Sequence, residues 1–314
     1  MFLTLNQVIR VMILFLLIEV LFLSVKSLVS KDEKKEFHFL QTASSSSPPL
    51  VKKELDLLTF SDLPLSPQVT TTKDISKSKS AFRLIALRNS KDVVALKSQN
   101  VEPICYINTI ALDSLSIQEK KETFINIILP SILLAKYKMQ MERKKLLRLS
   151  KKEDLSPKDR LWIEKKKVDF KAKDIDELYN KMELHPTSLI IAQAIVESGW
   201  GTSKFFKKGN NVFGIWSFSI EDERIVASEK RGKKTIYLKK YSTIHQSIYD
   251  YLVTISSVSS YESFQEKRLE TQDPFVLVEH LGKYSERGKS YIADIKNIIK
   301  TNKLVEYDSY KLNL

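Results

Sequence analysis

Residues 192–214 read AQAIVESGWGTSKFFKKGNNVFG, and the fold turns on how this stretch begins. With the residues before it, HPTSLIIAQAIVESGW (185–200) is apolar on nearly every face, which predicts a helix buried on all sides. Gly199 and Gly201 end it, because glycine accepts the left-handed conformation that closes a helix. Glu197 then falls in the last turn. Burial disfavours its charged form, and the negative end of the helix dipole pushes the same way. A carboxylic acid still protonated near neutrality can protonate a glycosidic leaving oxygen. Taken alone, a Glu at a helix end is more readily a solvated surface charge, so its surroundings must decide.

Those surroundings suit a sugar. Trp200, Phe213 and Trp216 offer aromatic faces, Asn210 and Asn211 offer amides, and Gly209 and Gly214 let backbone come close. Phe205 and Phe206 read as core. All 7 glycines lie between Gly199 and Gly288, so the tight turns belong to the C-terminal third. Further on, TIYLKKY (235–241) reads as a strand of a short hairpin. Ser242 or Thr243 caps a helix with Ile244, Ile248, Tyr251, Leu252 and Ile255 on one side. Helices starting at Pro274 and near Gly288 close the chain.

Upstream the pattern is one of packing helices. Ser116 begins one, with Phe124, Ile127 and Ile128 on a face, and Pro130 is expected to kink or split it. Leu133, Leu134, Tyr137, Met141 and Leu147 form the next run. Ser156-Pro157 starts a helix carrying Trp162, and 174–182 forms a short one. Residues 31–100, with SSSSPP and KSKSK, read as a tether that cannot bury enough surface to order itself, apart from a short strand or helix within 81–96. Val11 to Val25 is an apolar run between Arg10 and Lys26, interrupted by Glu19. It reads as an export signal, cleaved or kept as a membrane anchor.

The net charge of +13 admits nucleic acid, anionic membrane or anionic wall polymers as partners. No nucleic-acid fold signature accompanies it, so no nucleic-acid partner is expected. A single cysteine, Cys105, excludes an intrachain disulfide and reads as core among Ile104, Tyr106 and Ile107. His38, His185, His245 and His280 lack ligand spacing, and neither metal nor cofactor is expected.

The run at 192–214, together with YSERGKSY at 284–291, resembles the glycoside hydrolase family 73 N-acetylglucosaminidases, and within them the Bax-like members. The resemblance covers about 103–304. It implies a mostly α (α+β), lysozyme-like helical domain with a small β-lobe. It also implies hydrolysis of the β-1,4 bond between N-acetylglucosamine and N-acetylmuramic acid in peptidoglycan. By the same resemblance Glu197 is the catalytic acid, Tyr291 rather than Tyr284 is the important C-terminal tyrosine, and Tyr284 lines the substrate site. Glu229, in IVASEKRG, is the best match for a second carboxylate, with Glu221, Asp222 and Glu223 as rivals. Without one, the substrate's N-acetyl group or a water held by Tyr291 would attack.

The expected organisation is an anchor or signal (1–30), a disordered linker (31–100), a helical accessory region (101–184), the glucosaminidase domain (185–305) and a tail (306–314). The expected partners are peptidoglycan strands and, through the N-terminal segment, a membrane, for a monomer acting in the periplasm. Two alternatives stand beside this reading. One is a lytic transglycosylase or muramidase, whose GAxGLMQ-type stretch is replaced here by NNVFGIW. The other is a wall-binding protein without catalysis.

Overall fold

The computed structural model describes residues 82–231 and 234–314, with the side chains of 228–231 and 234 left outside the description. The apolar run at 11–25 lies outside the described residues. So do the tether up to residue 81 and the membrane contact expected of the N-terminal segment.

The described chain starts with three short strands: β1 (Arg83–Ile85), β2 (Asn100–Val101) and β3 (Ile104–Tyr106). β1 lies parallel to β3, with Arg83 opposite Ile104. Phe82 and Leu87 are buried, so 82–100 is ordered. This corrects the expectation of a linker reaching residue 100. The apolar positions there are few, but each finds a partner distant in sequence.

Ser116 caps α1 (Ile117–Leu149), its side chain accepting from the Glu119 N–H while Glu119 reaches back. The helix runs through Pro130 without the expected split. An interior proline costs about 3 kcal/mol. Here Phe124, Ile127, Ile128, Leu129, Ile132 and Ala135 are all fully buried around it, and that packing holds the helix together. Next come α2 (Pro157–Phe170), with Ser156 as cap and proline in its first turn, and α3 (Ile175–Lys181).

α4 (Thr187–Ser198) is the central helix, buried continuously from Thr187 to Ile195. It packs on α1 and on the C-terminal elements. Its own N-cap, Pro186, makes no side-chain cap bond. Asp308 supplies one from far along the chain, accepting from the Ser188 N–H and hydroxyl at 2.7 Å each. A carboxylate there satisfies orphan donors and complements the positive helix end.

α5 (Lys204–Gly209) leads to the hairpin of β4 (Arg224–Arg231) and β5 (Lys234–Lys239), which is antiparallel with an irregularity between Val226 and Lys230. Thr243 caps α6 (Ile244–Ser257), followed by α7 (Glu262–Glu270), α8 (Pro274–Leu277) and α9 (Lys289–Thr301). A 3-10 turn at Leu304–Ser309 carries Asp308, and β6 (Lys311–Leu312) pairs in parallel with β2. Residues 306–314, expected as a tail, are therefore part of the fold. The observed class is mostly α, with small two-stranded sheets. Among the described residues no helix is long and apolar enough to cross a membrane.

Candidate active site

Glu197 sits in the last turn of α4, as its position in the apolar run requires, with its side chain partly buried. Burial pushes its carboxyl above the usual carboxylate range, while the Tyr291 phenol and the nearby Arg287 charge pull it back only partly. Its charge acts on Tyr251, Tyr261, Tyr284 and Tyr291, whose rings pack against one another near the end of α4. Arg287 is ion-paired with Asp294 on α9.

Tyr291 occupies the first turn of α9 and is 1% exposed. Its ring stacks on Tyr284 with centroids 5.5 Å apart. Burial and the Glu197 charge push its hydroxyl above the ordinary phenol range, so it stays protonated. Behind it lies a group the sequence reading passed over. Gln193, one helical turn before Glu197, donates through Nε2 to the Tyr291 oxygen at 3.1 Å. Its Oε1 accepts from the Tyr251 hydroxyl at 2.5 Å. Tyr251 in turn lies 3.1 Å from His185 Nε2. A glutamine buried in an otherwise apolar helix, four residues from the acid, was the available signal.

The backbone turns sharply just past the acid. Gly199, Trp200 and Gly201 all have positive φ, at +57°, +57° and +79°. For a residue as bulky as tryptophan this is a strained conformation. Ser198 ties the turn, donating to the Ala194 carbonyl at 2.6 Å and accepting from the Gly201 N–H at 3.0 Å. The Trp200 ring meets Phe124 of α1 edge-on at 5.7 Å, and Lys121 lies 5.1 Å from its centre.

The other expected substrate residues divide. The Asn210 Nδ2 group donates to the carbonyls of Ile107 and Tyr241, both at 2.9 Å. That of Asn211 donates to Ile215 and Lys239, and its Oδ1 accepts from the Ile215 N–H. Both side-chain amides thus staple the loop to its neighbours rather than present donors to a ligand, which corrects their expected role. Phe213 is 6% exposed and stacks on Tyr251 at 4.0 Å, so it too is a packing residue. Gly214 has φ +66° and lets the chain turn toward β5. Trp216, 40% exposed, bridges Leu238 on the edge of the hairpin beside the exposed Phe218.

The second carboxylate is not among the groups that act most strongly on Glu197. Glu229 lies on β4, but its side chain is outside the described residues. Of its rivals, Asp222 accepts from the Ser217 hydroxyl and Glu223 pairs with Lys240. Cys105 is fully buried, bonded to His245, with its thiol pushed up to about 12 by burial. It is not a nucleophile.

Residues 172–304 match the glucosaminidase family model, described as mannosyl-glycoprotein endo-beta-N-acetylglucosaminidase. The chain is similar to protein bax of Escherichia coli (strain K12), at 26% identity over 186 residues, covering 55% of this chain and 66% of that protein. It is also similar to exo-glucosaminidase LytG of Bacillus subtilis (strain 168), at 32% identity over 142 residues, covering 42% of this chain and 47% of that one. The matches therefore span 66% and 47% of these relatives' own lengths. Among solved structures, the catalytic domain of the autolysin Auto from Listeria monocytogenes aligns over 53% of this chain and 96% of its own, at 20% identity and a TM-score of 0.34. The similarity to the glucosaminidase family thus lies in residues 172–304.

Proposed function

We propose that this chain is a peptidoglycan hydrolase with a lysozyme-like catalytic domain, cutting the β-1,4 bond between N-acetylglucosamine and N-acetylmuramic acid. One observation carries the reading. Glu197 lies in the last turn of a buried helix, with its carboxyl raised above the usual range by burial and the Tyr291 phenol acting on it. A protonated carboxyl so held suits a general acid.

In the reaction, Glu197 gives its proton to the glycosidic oxygen as the bond from that oxygen to the anomeric carbon breaks. Water then adds to the anomeric carbon, directly or after attack by the substrate's acetamido oxygen, and the proton that water loses restores the acid. Tyr291, kept neutral, acts as a hydrogen-bond donor rather than a base. Glu229, on β4, is the β-lobe carboxylate of the proposal. Trp216 offers the exposed ring against which a sugar stacks, with Trp200, three residues past the acid, and Tyr284, stacked on Tyr291, as further substrate residues of the proposal. The proposal includes action outside the cytoplasm by a monomer, with the apolar run at 11–25 as export signal or anchor.

The test is turbidity loss of purified cell walls. The wild type should clear them, and Glu197→Gln should reduce the rate by roughly 10²–10⁴-fold, the usual contribution of a general acid. Equal clearing by both would end the proposal.

A further inference from the structure

The buried chain behind Tyr291 has a direction, and the orphaned nitrogen at its far end sets it. His185 is fully buried, and burial together with Arg268 and Lys136 drives its pKa well below the usual value, so the ring is neutral with one N–H. Nε2 faces the Tyr251 oxygen at 3.1 Å, while Nδ1 has no hydrogen-bond partner. If Nδ1 carried the proton, a buried N–H would be left unmet, which folded proteins rarely tolerate. With the proton on Nε2, the unmet atom is a lone pair, the cheaper of the two.

The rest follows in order. His185 Nε2–H donates to Tyr251. The Tyr251 hydroxyl donates to Gln193 Oε1 at 2.5 Å. The Gln193 Nε2–H donates to the Tyr291 oxygen at 3.1 Å. The Tyr291 oxygen is thus occupied as an acceptor, and its proton is left to point at the Glu197 carboxyl, whose charge acts on it. Turning the amide over would reverse every link and strand a proton on Nδ1.

We infer that Gln193 is a positioning residue: its amide, oriented by Tyr251 and His185, makes the Tyr291 hydroxyl donate to Glu197 rather than accept from it. This rests on the role proposed above for Glu197 and deepens it. When Glu197 is protonated, its carbonyl oxygen accepts from Tyr291, and its own proton sits on the other oxygen, available to the leaving group. Once that proton is given away, the same donor stabilises the carboxylate. The aromatic packing keeps the chain in place: Phe213 stacks on Tyr251 at 4.0 Å, and Phe264 meets the His185 ring edge-on at 5.2 Å. The charged and titratable groups facing the acid are Arg287, Tyr251, Tyr261, Tyr284 and Tyr291.

The experiment pairs two readouts on the full chain: ¹³C NMR titration of the Glu197 carboxyl, and pH profiles of kcat and KM on peptidoglycan. Gln193→Met keeps size but removes both hydrogen bonds. It should raise the Glu197 pKa, move the alkaline limb of kcat to higher pH and lower the maximal kcat about 10-fold or more, with KM unchanged, as expected for losing a hydrogen bond to a charged group. Gln193→Glu separates direction from packing. Protonated, its carboxyl donates and accepts like the amide, so acid-side activity should approach wild type. Ionised, it accepts from both tyrosines, draws the Tyr291 proton away from Glu197, and activity should collapse. Tyr251→Phe, which frees the amide to turn, should shift the Glu197 titration in the same direction as Gln193→Met and serves if the Gln193 variants fail to fold.

An unshifted Glu197 titration in folded Gln193→Met or Tyr251→Phe would overturn the inference. So would equal losses at all pH in Gln193→Met and Gln193→Glu. If the wild type cuts no peptidoglycan, the functional proposal fails by itself, and the NMR titration still decides the direction of the chain.

Discussion

The rings of Tyr284 and Tyr291 lie 5.5 Å apart and nearly parallel, at 18°, and the Tyr291 phenol lowers the pKa of the nearby Glu197 carboxyl. The stacking leaves the phenol little freedom to swing, so the α4 acid and the α9 phenol form one unit. That unit makes the pH behaviour of the enzyme depend on Tyr291.

Tyr291→Phe removes the donor that lowers the Glu197 pKa and leaves the burial that raises it. The alkaline limb of kcat/KM should therefore move to higher pH, because Glu197 stays protonated longer, while the maximal kcat falls. A pH–rate profile on solubilised peptidoglycan checks this. A limb shifted to lower pH would show that Tyr291 acts otherwise.

Gly201 should not tolerate a side chain. Its φ is +79°, and a Cβ would come within 2.9 Å of Leu112, 3.0 Å of Phe124 and 3.1 Å of Phe206, all buried. Gly201→Ala should destabilise the fold by about 1–3 kcal/mol through overpacking and backbone strain. Urea unfolding measures it, and an unchanged midpoint would contradict the packing described here.

Stability should also fall in mild acid. His185 and His245 are buried with depressed pKa values, His245 down to about 3. Below about 6.5 the unfolded chain takes up protons that the native imidazoles refuse. The unfolded state then binds more protons, so stability drops as pH falls from 6.5, by up to about 1.4 kcal/mol per pH unit for each histidine. Denaturation curves between pH 7 and 5 should show this slope, and His245→Gln should reduce it. A slope unaffected by that substitution would count against the assignment.

Trp216→Ala tests the sugar platform. Trp216 is 40% exposed on the hairpin edge and carries no charge with which to move the Glu197 titration. The variant should raise KM several-fold and leave the alkaline limb in place. A shifted limb with unchanged KM would remove Trp216 from the binding face.

The catalytic helix was legible because its signals are local: an apolar run, a glycine stop and an acid in the last turn. The caps at Ser116, Ser156 and Thr243 were legible for the same reason. What escaped depends on distant partners. The β1–β3 and β2–β6 pairs join short segments that carry no periodicity of their own, and Asp308 caps α4 from outside the helix. Pro130 misled because the surrounding burial overrides its local effect. Asn210 and Asn211 look like sugar ligands in the sequence because an amide there does not reveal whether a carbonyl already holds it. Gln193 lay within the quoted run, but its role became visible only when Tyr251 and Tyr291 met it from two other helices.

The most direct test is mass spectrometry of the fragments released from purified sacculi by the wild type and by Glu197→Gln. Wild-type fragments are predicted to end in reducing N-acetylglucosamine, with none above background from Glu197→Gln. Fragments ending in 1,6-anhydro-N-acetylmuramic acid, or identical release by both proteins, would contradict the account.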